Sequence, residues 1–169
     1  LVCAEIDDDA GTGSVTLAQL MGLPVVERVI QEVKRITPVL PIVFARAKTD
    51  IALGGHRIPE GWLVCLGLHA HHMLEETYRE PTRFDQGRFK DTRAEHELHE
   101  HAFAPQGPGE LATSHKCAGL EYSTLIMKLF TVLLLRGHRW ELPQQDLALD
   151  MSKIPPEPRD GLKAHVVAS

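Results

Sequence analysis

FAPQGPGELATSHKCAGLE, Phe103 to Glu121, sets one cysteine between a glycine-rich loop and a long apolar helix. Gly107 and Gly109 let the backbone turn where a side chain could not, and Gly119 lets it approach a bulky planar ligand. The helix is expected from about Ala118, through Leu120, Leu125, Ile126, Leu129, Phe130, Leu133 and Leu134. Its unpaired N–H groups and positive dipole end then face the Cys117 sulfur. A thiolate is stabilised in that position, and Cys117 is read as a metal ligand.

Upstream, Leu23, Val26, Ile30 and Val33 recur at helical spacing, with Pro24 in the first turn and an end before Pro38. The shorter stretch Thr16 to Leu23 reads as a helix of its own, with Ser14 or Thr16 as its cap. The longer helix carries Glu32-Val33-Lys34-Arg35, an E-x-x-R whose ends share one face. Taken alone, such a pair is a solvated salt bridge. Short strands follow: Val43 to Lys48, then a turn at Gly54-Gly55, then Trp62 to Leu68 after Ile58-Pro59-Glu60-Gly61. Arg46 alone reads as an edge-strand charge facing Asp50. His96, His99 and His101 raise a zinc alternative, but His96 and His99 are one residue too close for an H-E-x-x-H pair, and a solvated polar loop accounts for them better.

These features, in this order, resemble the cytochrome P-450 superfamily. The family's heme loop runs F-x-x-G-x-x-x-C-x-G with Arg or His two residues before the cysteine, matched here by His115, Cys117 and Gly119. The loop here is longer than the generic one and has Gln106 where most members have Phe. It is similar in this to the fatty-acid peroxygenase branch, as is the ending LPQQDL. The resemblance implies heme b with Cys117 as proximal ligand, Gly119 beside the heme, and Arg46 and His115 against its propionates. It further implies a buried triad of Glu32, Arg35 and Arg88, the last from Phe84-Asp85-Gln86-Gly87-Arg88-Phe89, and matches His71 to a histidine that most relatives carry. Leu40, Ile42, Val43 and Phe44 are expected to line the pocket above the heme, and Ile154 and Pro155 to reach it from a C-terminal hairpin.

The fold implied is mixed α/β in the α+β sense, a mainly helical heme core with a small sheet, a meander and the heme loop. Residues 1–169 are expected to form the C-terminal part of a single catalytic domain, without the N-terminal part that carries the central oxygen-activating helix. A thiolate ligand donates electron density to iron and favours O–O cleavage. The expected activity is therefore monooxygenation of a small apolar substrate, with electrons from a ferredoxin and its reductase. Peroxide-driven fatty-acid oxidation is the alternative within the family. A non-catalytic heme or zinc protein, or a remnant that only packs against a partner, is the alternative outside it.

Composition narrows the rest. The net charge of −5, with no Lys/Arg-rich run, argues against nucleic acid. The longest apolar run, Leu125 to Leu135, is interrupted by Lys128 and Thr131 and falls short of the roughly 20 residues that span a bilayer. Three scattered cysteines give no disulfide framework. A reducing, cytoplasmic setting fits, with a membrane anchor in an N-terminal part left open.

Overall fold

The computed structural model describes residues 1–10, 13–110, 112–114 and 116–168. Three helices open the chain: α1 (Val2–Ala10), α2 (Leu17–Met21) and α3 (Pro24–Ile36). Thr16 caps α2 in a reciprocal box with Gln19. Leu23, at the start of α3, offers no side-chain acceptor. Glu5 of α1 supplies one instead, its carboxylate accepting the Val25 and Val26 N–H groups at 2.7 and 2.8 Å. An anion at the positive end of α3 satisfies two orphan donors and fixes the angle between the helices.

Four strands follow: β1 (Val43–Arg46), β2 (Ile51–Leu53), β3 (His56–Ile58) and β4 (Leu63–Leu66). β2 and β3 pair around Gly54 and Gly55, both left-handed at φ 56° and 78°. Outside them β1 pairs antiparallel with β4, Val43 opposite Leu66 and Arg46 opposite Leu63. Both outer strands are shorter than expected. Gly61 donates to the Ala47 carbonyl and Ala47 to that of Trp62, which turns the chain out of the ladder there.

After α4 (Leu68–His72), the described residues between 73 and 119 form a meander whose helical turns are the 3₁₀ turns Gln86–Phe89 and Glu95–Glu97. Helix α5 (Leu120–Leu135) starts two residues later than expected, because the Cys117 carbonyl first closes a turn with the Leu120 N–H at 3.2 Å. The chain ends in two antiparallel pairs, β5 (His138–Glu141) with β8 (His165–Ala168), and β6 (Leu149–Asp150) with β7 (Glu157–Pro158). The expected α+β architecture is the one observed.

The apolar core lies where α1, α2, α3 and α5 meet, built from Ile6, Leu20, Leu23, Val26, Ile30 and Val132. Within this helical packing Lys128 is buried, and its ammonium is paired with Glu27 at 2.6 Å. Helix α5 is apolar beyond the core as well. Tyr122, Ile126, Phe130 and Leu133 form an exposed stripe along it.

Candidate functional site

Glu32, Arg35 and Arg88 do form a buried triad. Their residual exposures of 0%, 0% and 1% exclude the solvated salt bridge that an isolated E-x-x-R suggests. Arg35 Nε donates to Glu32 Oε2 at 2.7 Å and Arg88 Nε to Oε1 at 3.1 Å. The Asp85 N–H adds a third donor to Oε1 at 2.8 Å. Arg35 Nη2 adds a bond to Glu32 Oε1 at 3.0 Å, and the guanidiniums also donate to backbone carbonyls: Arg35 to those of His72, at the end of α4, and Pro81, Arg88 to those of Arg79, Glu80 and Arg83. Arg88 also reaches Glu95 at 2.7 Å. Burial alone would raise the Glu95 carboxyl, but Arg93 and Arg88 together hold it below its ordinary value. A charge cluster this dry is tolerable only because each donor has an acceptor.

The triad reaches the cysteine loop through two aromatic residues. Tyr78 lies under both guanidiniums, with the Arg35 carbon 4.9 Å from its ring centroid, and its hydroxyl donates to the Ala102 carbonyl at 2.9 Å. His72 accepts the Ala104 N–H on Nε2 at 3.1 Å. Both residues flanking Phe103 are thus tied down. The histidine at this post is His72, the neighbour of the His71 matched to the family. α4 ends with His72 turned inward, while His71 pairs with the His101 carbonyl near the surface. Burial first, then neighbouring His71 and Arg35, push the His72 pKa from 6.5 down to about 3. It is neutral, with its proton on Nδ1, which has no partner among the described residues.

Gly107 and Gly109 take φ of 95° and 79°, the left-handed turn that their identity allows. A Cβ on Gly109 would come within 2.8 Å of the Ser114 side chain. The loop brings Cys117 back beside Gln106, whose carbonyl accepts the Cys117 N–H at 2.9 Å. Gln106 Nε2 donates to Ser123 Oγ at 3.2 Å, and its Oε1 accepts from Lys34 at 3.1 Å. Cys117 is exposed and unbonded to either of the other cysteines. It opens onto a cavity of about 620 Å³ between this loop and the β1–β4 pair. Leu40, Val43, Phe44, Val64 and Leu66 make the apolar wall, and Pro105, Gln106 and Gly107 lie beside the cysteine. A Cβ on Gly119 would stand 3.7 Å from the sulfur, so glycine there keeps the space beside it open.

Three expected pocket residues are not in this wall. Ile42 is 54% exposed and stands one residue ahead of β1, whose ladder begins at Val43. Ile154 and Pro155 are also exposed, in the turn between β6 and β7. His115 lies outside the described residues. Arg46 donates to the Gly61 carbonyl at 2.6 Å, while Asp50 pairs with Arg57, so the edge-strand pairing of Arg46 with Asp50 does not form. Among the described residues no three His, Cys, Asp or Glu converge on a metal-sized site.

The family model for cytochrome P-450 matches residues 2–159. The chain belongs to this family. Members bind heme b and are oxidoreductases of the monooxygenase class. A sterol 14alpha-demethylase of Mycobacterium tuberculosis is 31% identical over 156 residues, covering 90% of this chain and 34% of that protein. A retinoic-acid-bound cyanobacterial CYP120A1 superposes with a TM-score of 0.90 at 30% identity, covering 99% of this chain and 38% of that one. Wild-type CYP152N1 with myristic acid gives 0.70 at 32% identity, covering 85% and 34%. The chain spans about a third of the length of the curated relatives it matches. Among the described residues no helix is long and apolar enough to cross a membrane.

Lys34, Gln106, His72 and Tyr78 are the site residues that sequence reasoning did not assign. Gln106 carried a signal, as the departure from the family's usual Phe. Lys34 occupies an unspecified position of the E-x-x-R, Tyr78 lies outside the quoted motifs, and His72 was one residue from the position matched.

Proposed function

We propose that this chain is the heme-ligand part of a cytochrome P-450 catalytic domain, with Cys117 as the proximal thiolate. The observation that carries the reading is Cys117 exposed at the base of an apolar cavity, on a loop anchored to the buried triad. The residues present fit the cofactor. The cavity is in the size range of ligand sites and is walled by aliphatic and aromatic groups. Gly119 leaves room beside the sulfur, and Arg46 stands on the cavity-lining strand with no carboxylate pairing it among the described residues. Cys117 would hold the iron, and Arg46, with His115, would pair with the propionates. Heme with a thiolate ligand supplies the activation of oxygen for attack on a C–H bond.

The chain's own groups do the rest. The Cys117 carbonyl and the Gly119 turn fix where the sulfur points before α5 begins. Leu40, Val43 and Phe44 exclude water and favour an apolar substrate. Glu32, Arg35 and Arg88 hold the loop and touch no substrate. We read the whole protein as a monooxygenase supplied with electrons by a ferredoxin and its reductase. A second reading, peroxide-driven oxidation of a fatty acid, is favoured by the Pro105-Gln106-Gly107 loop and by the likeness to a chain solved with myristic acid. Incubation of the heme-loaded protein with an apolar carboxylic acid under labelled dioxygen, NAD(P)H, ferredoxin and reductase should place label in the product. Turnover with hydrogen peroxide alone, and none with the electron-transfer chain, would reverse the two readings.

A further inference from the structure

Lys34 lies between the two elements that carry the cysteine. Glu32 and Arg35 point from α3 into the meander, while Lys34 points toward α5 and the loop. Its ammonium donates to Thr124 Oγ1 of α5 at 2.6 Å and to Gln106 Oε1 of the loop at 3.1 Å. Both partners are already committed elsewhere, Thr124 Oγ1 donating to the Leu120 carbonyl and the Gln106 carbonyl accepting the Cys117 N–H. The lysine therefore ties together Leu120, Gln106 and Cys117, the three points that set the sulfur's position.

Its charge has an equally specific setting. The ammonium is half-buried, and among the described residues no carboxylate forms an ion pair with it, since Glu27 is paired with Lys128. Burial lowers its pKa, and its electrostatic interactions with nearby Glu27 and Cys117 act against this. Gln106 lines the cysteine's cavity, whereas Lys34 and Thr124 line a second cleft between α3 and α5. The cation thus sits on the side of the loop away from the cavity, separated from it by one amide side chain.

We propose that Lys34 is a positioning residue for the Cys117 thiolate, bracing the loop through Gln106 and Thr124 and placing a fixed positive charge behind the sulfur. This rests on the reading of Cys117 as heme ligand. A cation there favours the more negative, reduced state of the centre, because adding an electron near a fixed positive charge is stabilised.

The test is the ferric/ferrous midpoint potential of the heme-loaded protein, measured for wild type and for Lys34→Gln, Lys34→Met and Lys34→Arg. Lys34→Gln removes the charge and keeps a hydrogen-bonding end on a shorter stem, Lys34→Met removes charge and hydrogen bonds together, and Lys34→Arg keeps the charge. The potential should fall in Lys34→Gln and Lys34→Met and stay near that of wild type in Lys34→Arg. If Lys34→Met fails to retain heme, Lys34→Gln decides. An unchanged potential in Lys34→Gln, even with lower thermal stability, overturns the proposal and leaves Lys34 as a structural tie. A wild-type protein that lacks the red-shifted thiolate band with carbon monoxide overturns the heme-ligand reading and this inference with it, so the two failures are distinguishable.

Discussion

Two regions on opposite sides of the cysteine are built on opposite terms. Toward the meander, Glu32, Arg35, Arg88, Tyr78 and His72 are buried, and nearly every polar group finds its partner within this chain. Toward the cavity and along α5 the surface is apolar and open, with Phe44 at 69% exposed and Phe130 at 62%. The first region holds the cysteine loop by strong interactions that leave His72 Nδ1 without a partner among the described residues. The second shows large side chains that water does not reward, a surface suited to covering by a cofactor, a substrate or further protein.

The largest expected effect comes from breaking the dry side. Glu32→Ala leaves two guanidiniums buried without their shared anion, a loss of roughly 3–5 kcal/mol. That is enough to unfold a domain of ordinary stability, so the thermal transition should fall steeply or vanish. A variant that melts like wild type and differs only in substrate choice would move Glu32 from scaffold to active site.

Next is His72. Its folded-state pKa of about 3 lies below the ordinary 6.5, so the unfolded chain binds the proton first as pH falls. Stability contributed by neutral His72 is fully present above about pH 6.5 and is lost progressively toward pH 3. His72→Ala should remove that contribution to the slope and cost about 1–3 kcal/mol, by leaving the Ala104 N–H unsatisfied. Denaturant midpoints from pH 7 to pH 4 check both. Tyr78→Phe, which loses only the bond to Ala102, should cost about 1 kcal/mol.

These residues also show what the sequence could and could not disclose. Glu32, Arg35 and Arg88 were legible only through the family resemblance, since the shared helical face of the first two by itself suggests a solvated pair. The place of Cys117, between a glycine-turned loop and an apolar helix, was legible from the residues themselves. His72 was not, because α4 is a single five-residue turn and periodicity cannot choose between adjacent histidines. Lys34 was hidden because its partners are 72 and 90 residues away. Ile42, just ahead of β1, and Ile154 and Pro155, in the turn between β6 and β7, do not line the cavity beside Cys117.

The smallest effect should come from the open side. Phe130→Ser on the exposed stripe should change the stability of this chain by no more than about 0.5 kcal/mol, since that residue is 62% exposed. A loss several times larger in urea titration would mean that the stripe is packed, against a second copy or otherwise, and would erase the contrast.

The central claim is that the dry side presents Cys117 to a heme. Its most direct test is the optical spectrum of the heme-loaded ferrous protein under carbon monoxide, for wild type and Cys117→Ser. The account predicts the red-shifted Soret band of a thiolate complex in wild type and its loss in Cys117→Ser. A wild-type band at the position of a histidine-ligated heme, or a thiolate band that survives the substitution, would contradict it.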